Sequence, residues 1–249
     1  MRSTGLFAGI HLAGNALLLW LGYYWLGLGE SRAGALVGSL AVAAVGGLLA
    51  CWLYGASFAF FSGGGGVAAA FRAALGRLAP LVAAALAVLA LYGLLALACS
   101  HMDGPGFRLA SWLTLKLSTP VKPAAAQGVF HGVFWVLCWM VAPVLIVPMG
   151  PAIVARGWAG FRAIGSGCRA GRRWLQVPAL LLAAFWVPLK LIAWVPHMPG
   201  FGLEMASFVL RAAAACLLFT GGWLALAWAV SPGQPGRPDE TGKAVVPPA

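Results

Sequence analysis

The chain has 249 residues, of which 62% are hydrophobic and 8% charged. Soluble domains carry about 25% charged residues, so this composition excludes a water-soluble fold. The net charge of +11 does not indicate nucleic-acid binding, because the basic residues lie in short loops between apolar runs, where membrane proteins place them.

Six uncharged apolar runs are long enough to cross a bilayer as helices. A hydrocarbon core of about 30 Å needs roughly 20 helical residues. The predicted helices lie at about 6–27, 34–61, 79–100, 126–154, 175–196 and 205–230. The predicted fold class is therefore all-α, a polytopic transmembrane bundle of about six helices.

The apolar runs are not separated by any polar block that is long enough to fold by itself. One transmembrane domain is therefore predicted for residues 1–230. Residues 231–249 contain five prolines and no apolar periodicity, which is typical of disorder. They are predicted to form a disordered cytoplasmic tail.

The Lys and Arg residues of the loops are distributed unevenly between the two sides of the predicted bundle. Ten lie on the side of the N-terminus and four on the opposite side. Positive residues accumulate in cytoplasmic loops. The pattern predicts a multi-pass protein of a bacterial-type cytoplasmic membrane, with both termini in the cytoplasm.

Two short motifs recur in the same order along the chain. Phe71-Arg72-Ala73 recurs ninety residues later as Phe161-Arg162-Ala163, and residues 101–113 align on 197–209 with six identities in thirteen positions. The pattern indicates an internal repeat, a duplicated helical hairpin with halves at about 34–120 and 126–230. The same alignment predicts a short interfacial helix at 108–119, ended by Pro120.

One of these motifs also carries a family resemblance. The segment FRAALGRLAP, residues 71–80, opens a helix after a glycine-rich turn and has an echo near Phe161. It resembles uncharacterised six-helix bacterial membrane proteins related to the membrane domain of some glycerophosphodiester phosphodiesterases. The resemblance covers about the central two thirds of the chain and implies a six-helix membrane fold. No hydrolase domain accompanies it, and no functional residue is carried over.

Two cytoplasmic loops combine apolar and basic residues. Residues 62–78 place four large apolar residues at near-helical spacing beside Arg72 and Arg77, and residues 156–173 combine three large apolar residues with five arginines. Both loops are predicted to form amphipathic interfacial helices. Such segments bind anionic lipids at the cytoplasmic face, and docking of a membrane or cytoplasmic protein partner is the alternative.

Three pairs of glycines have the spacing that allows close helix crossings. The pairs are Gly5 and Gly9, Gly34 and Gly38, and Gly128 and Gly132. Packing within the chain is the favoured interpretation, and a homodimer is the alternative.

The histidines are candidates for haem or metal ligands. His101, His131 and His197 gather on the outer side with Met102 and Met198, which are ligand types suited to copper. A duplicated His-Met motif before a helix is more simply a helix-entry motif, so metal binding is disfavoured and no cofactor is predicted.

Three charged residues lie within or beside the last two helices, toward the outer leaflet. They are Lys190, Glu204 and Arg211. An isolated charge at this depth costs roughly 2 to 3 kcal/mol, so Glu204 is expected to pair with one of the two cations. The remaining cation either reaches the headgroups or forms an anion or lipid-phosphate site, with Arg211 as the bidentate contact.

Signs of catalysis are scarce in the sequence. It contains five acidic residues, none at mid-membrane, and no G-x-S-x-G, H-E-x-x-H or C-x-x-C motif. The favoured interpretation is a non-enzymatic accessory, interaction or scaffold protein of the membrane. The alternative is a small transporter or lipid-handling protein that uses the outer-leaflet site.

Overall fold

The computed structural model describes residues 2–28, 32–63, 65–117, 120–169, 171–196 and 200–231. These residues are helical almost throughout and contain no strand. Six helical segments among them are long and apolar enough to span a membrane. They are Ser3–Leu26, Ala33–Gly63, Leu78–Ser100, Pro123–Ala163, Arg173–Ala193 and Phe201–Val230. The predicted all-α transmembrane bundle is confirmed, whereas nearly all of the predicted tail lies outside the described residues.

The first half of the chain consists of five helices. They are α1 (Arg2–Leu26), α2 (Ala33–Gly63), the short α3 (Val67–Gly76), α4 (Leu78–Ser100) and α5 (Asp103–Leu117). α5 includes most of the predicted interfacial helix, but it begins five residues earlier. The end of the bundle that holds the start of α1 is called the N-terminal side below.

The fourth spanning segment is a broken helix rather than the continuous one that was predicted. α6 (Pro123–Val136) passes into a π-helix, Leu137–Val141, and then into α7 (Ala142–Ile146). A turn follows before α8 (Met149–Arg156), and the chain then returns in the 3₁₀ segment Gly157–Ala163. The return runs back along the helix, because the Gly165 N–H donates to the carbonyl of Leu145 at 3.1 Å.

The last two spanning segments follow a second 3₁₀ turn, Ser166–Arg169. The fifth segment consists of α9 (Arg173–Leu181), a π-helix Leu182–Trp186, and α10 (Val187–Ala193), and the sixth is α11 (Phe201–Val230). Each π-helix ends two residues before a proline, Pro143 or Pro188. Proline lacks an N–H and clashes with the carbonyl four residues earlier, so the wider turn accommodates it.

The hydrophobic core is concentrated toward the N-terminal side. It unites the end of α2, the start of α4, α8, α9 and the end of α11. Ile153 of α8, Val144 and Leu226 are fully buried in it. The opposite half of α4 instead exposes residues such as Leu89 and Leu94, as expected where lipid is the solvent.

The predicted glycine pairs do not form helix crossings within the described part of the chain. A Cβ added at any of those six glycines would meet no atom within 4 Å in the described part. The close approaches occur at other glycines, such as Gly222, whose added Cβ would lie 2.8 Å from the Cα of Ala184. Spacing alone failed because it does not reveal which helix face is covered.

The two basic loops have different structures. α3 is the predicted helix, and it packs on α2 through Ala70 and Ala74, while Arg72 stays exposed. The predicted helix over 156–173 is wrong, since this region forms two 3₁₀ segments. Gly157 adopts φ +61°, which ends the preceding helix, and Gly160 lies directly against the backbone of Ile153.

Candidate functional site

The predicted charged set at the ends of α10 and α11 does not form an ion pair. Among the described residues Glu204 has no salt bridge, and Lys190 lies over the ring of Trp186 at 5.6 Å. The expected pairing of Glu204 with a cation is therefore wrong. Arg211 is about 10 Å along the helix from Glu204, and it finds nearer partners.

Arg211 binds the end of α10 instead. Its Nη1 donates to the carbonyls of Leu191 (3.5 Å), Ile192 (3.2 Å) and Trp194, and its Nε donates to Ser207 at 3.2 Å. The last carbonyls of a helix lack partners within it, which makes them strong acceptors for a cation. Arg211 thus acts as a cap that ties α10 to α11, and most of its fork is unavailable to a bidentate anion.

The histidines considered as metal ligands bond to their own helices. Nδ1 of His101 lies 2.8 Å from the carbonyl of Leu97, and Nδ1 of His131 lies 2.9 Å from that of Gln127. His197 lies outside the described residues. Within the described part of the chain, no three His, Cys, Asp or Glu side chains are grouped so that they could hold a metal ion.

A polar network that the sequence analysis missed connects α1, α2 and α11 inside the bundle. The Asn15 amide donates to Thr220 at 2.8 Å and accepts from the Tyr54 hydroxyl at 2.9 Å. Nearby, the Trp223 indole donates to Ser57 at 2.8 Å. Such bonds fix the rotation and register of spanning helices, and the polar residues within three apolar runs were the available signal.

His11 lies one turn before Asn15 on the buried face of α1. Its side chain has no solvent exposure, and neither ring nitrogen has a hydrogen-bond partner among the described residues. The ring contacts Phe7 at 4.6 Å between centroids, with Phe71 of α3 farther away at 6.4 Å. The imidazole therefore sits in an aromatic pocket formed where α3 covers α1.

A groove of about 360 Å³ lies between α4 and the broken fourth segment. It follows the π-helix and the break, and its end is formed by the returning 3₁₀ segment. The lining residues are Ala87, Val88, Leu91, Leu95, Leu137, Val141, Ala142, Leu145, Ile146, Met149, Phe161 and Ile164. Every one is apolar, so the groove has no acid, base or nucleophile and suits a hydrocarbon chain.

The π-helix beside the groove is stabilised from α4. In a π-helix each N–H donates to the carbonyl five residues earlier, as the Ala142 N–H does to Leu137. The next carbonyl, that of Cys138, would therefore need the N–H of residue 143. That residue is Pro143, which has none. The Tyr92 hydroxyl donates to the Cys138 carbonyl at 2.7 Å and fills this gap.

The groove was not predicted, although Pro143 and Pro148 within one apolar run were a signal that the helix breaks.

No known protein family, curated protein or solved structure matches the chain. The function is therefore inferred from the groove and from the residues at its end.

Proposed function

We propose that this chain is a non-enzymatic membrane protein that binds a membrane lipid, with one acyl chain of the lipid in the groove between α4 and the broken fourth segment. The apolar lining of the groove is the observation that carries this proposal. Irregular helix geometry inside a membrane is tolerated where it is covered by protein or lines a cavity, and π-helices occur frequently at functional sites.

The lipid is the favoured occupant because the groove adjoins the surface that faces the bilayer. On α4, Leu89 and Leu94 are interspersed with the lining residues and are exposed. An acyl chain reaches such a groove from the membrane without crossing a polar barrier. The role of accessory or scaffold protein is compatible with this function, because a bound lipid can complete a packing surface.

We also propose that the N-terminal side faces the cytoplasm in a bacterial-type cell membrane. The ten-to-four distribution of loop Lys and Arg supports this orientation. The end of the groove at Phe161 and Ile164 then belongs to the cytoplasmic leaflet. An outer-leaflet phosphate site at Arg211 is the less supported alternative, since that guanidinium binds four carbonyls.

Photocrosslinking in lipid nanodiscs tests the lipid function. With a phospholipid that carries a diazirine on its acyl chain, we expect the crosslinks to concentrate on groove residues such as Leu91 and Leu145. Val88→Trp fills the groove and should reduce them, whereas Leu89→Trp, on the exposed neighbouring position, should not. Crosslinks spread evenly over the apolar surface, or an equal effect of both variants, would contradict the proposal.

A further inference from the structure

The guanidinium of Arg77 lies at the N-terminal side beside Gly157, the first residue of the returning 3₁₀ segment. A Cβ added at Gly157 would lie 2.8 Å from Nη1 of Arg77, so the guanidinium rests against the backbone at this glycine. Gly157 also has φ +61°, a conformation that side chains disfavour. Arg156 is the adjacent residue, and it lies 79 positions after Arg77 in the sequence.

This arginine pair, Arg77 and Arg156, has no counter-charge in the described part of the chain. Both side chains are exposed, and neither forms a hydrogen bond or ion pair with another described residue. Glu204, an acidic residue with a described side chain, is in the first turn of α11 at the opposite side. Two cationic side chains on one part of the surface, without an acidic neighbour there, favour an anion over a cation. A phosphate fits best, because guanidinium groups bind its oxygens in pairs.

The segment that follows the arginine pair connects it with the groove. Trp158 is 63% exposed and stacks on Phe161 at 5.9 Å between centroids. An exposed Trp of this kind is typical of the headgroup region of a membrane. Phe161 and Ile164 then form the end of the groove. The arginine pair, Trp158 and the apolar groove therefore lie in the same order as the headgroup and the acyl chain of a phospholipid.

We propose that Arg77 and Arg156 bind the phosphate of an anionic phospholipid whose acyl chain occupies the groove. This inference rests on the proposed lipid function and adds the headgroup class and the residues that select it. Arg72, which is exposed on α3, is the matched control for general surface charge.

Competition in nanodiscs tests the headgroup site on the full chain. The probe is a phosphatidylcholine that carries the diazirine on its acyl chain, and unlabelled phosphatidylglycerol or unlabelled phosphatidylcholine is added as the competitor. We expect phosphatidylglycerol to compete better than phosphatidylcholine. Arg77→Gln and Arg156→Gln should each lower this preference for phosphatidylglycerol about fivefold. Arg72→Gln should change it much less. Raising the NaCl concentration should weaken the preference of the unmodified protein, which is a second measurement that needs no variant.

The outcomes separate this inference from the function on which it rests. Groove crosslinks that persist in the double variant, with the preference lost, support both. Crosslinks that persist with the preference unchanged, or lost equally in Arg72→Gln, overturn the arginine site and leave the groove function standing. Absence of groove crosslinks from the labelled probe, before any competitor is added, overturns the proposed function itself. Displacement by soluble glycerol phosphate at similar concentrations would show that the site takes a free phosphate and would overturn the lipid assignment.

Discussion

Inside the bundle, α1 carries two buried polar residues on neighbouring turns, and only one of them has hydrogen-bond partners among the described residues. Asn15 bonds to both Tyr54 and Thr220. His11 is as deeply buried, yet both of its ring nitrogens lack partners in the described part. A buried polar group without a partner destabilises a fold, whereas a bonded one links helices.

His11→Leu is expected to stabilise the protein by about 1 to 3 kcal/mol, because it replaces two unsatisfied ring nitrogens with an apolar side chain of similar size. Asn15→Leu should have the opposite effect and cost about 1 to 2 kcal/mol, since two interhelical bonds disappear. Unfolding by SDS in mixed micelles measures both. A loss of stability in His11→Leu would mean that the imidazole has a partner in the membrane.

Glycines in contact with a neighbouring helix should differ from glycines on the exposed surface. At Gly222 an added Cβ would lie 2.7 Å from the Cβ of Ala184, so Gly222→Ala forces α11 away from the π-helix of the fifth segment. We expect a cost of about 1 to 3 kcal/mol from this overpacking. Gly132→Ala, with open space around it, is the control and should leave stability equal or higher. Equal effects in SDS unfolding would contradict this packing.

Among the structural elements, the fourth spanning segment departs most from its prediction. Its start, Pro123, lies three residues before the predicted one, because apolar length defines where a run can cross a bilayer, but its end at Ala163 lies nine residues after the predicted end. The break within it depends on Pro143 and Pro148, and on Tyr92, which lies 46 residues before its carbonyl partner, Cys138. The apolar sequence of the fourth segment does not reveal that Tyr92 of α4 will contact Cys138.

A double-mutant cycle tests this explanation of the π-helix. Tyr92→Phe should cost about 1 kcal/mol, because the Cys138 carbonyl loses its donor. In a Pro143→Ala background the same change should cost much less, since the alanine introduced there has an N–H that can donate to that carbonyl. Tyr23→Phe, at an exposed position of α1, is the control. Equal costs of Tyr92→Phe in both backgrounds would show that Pro143 is not the reason for the Tyr92 contact.

For the whole molecule, orientation follows from charge and is a prediction that fusions can check. Alkaline phosphatase fused after Ser231 should be inactive, and the same enzyme inserted after His101, between α4 and α5, should be active. Green fluorescent protein at the two sites should give the reverse result. Activity after Ser231 together with inactivity after His101 would invert the proposed orientation and move the arginine pair to the outer leaflet.

The internal repeat and the family resemblance remain predictions. The two copies of the Phe-Arg-Ala motif have different local structures, since Phe71 lies in the helix α3 and Phe161 in a 3₁₀ segment. The π-helices also occur in the fourth and fifth segments and not in α2 or α4, which are their proposed counterparts. His197, the second copy of His101, lies outside the described residues.

The sequence by itself determined the number, order and approximate limits of the spanning segments. Each is a local property, because about 20 apolar residues in succession satisfy the bilayer wherever they occur. It also supplied the charge distribution on which the proposed orientation depends.

The tertiary structure decided which faces of the helices are covered and what lies between them. Lipid is as apolar as a protein core, so apolar residues face both, and hydrophobicity does not distinguish the two surfaces. The groove, the network around Asn15 and the position of Arg77 on Gly157 all join residues that are far apart in the chain. They follow from helix packing, and so does the contact of Arg211 with the last carbonyls of α10.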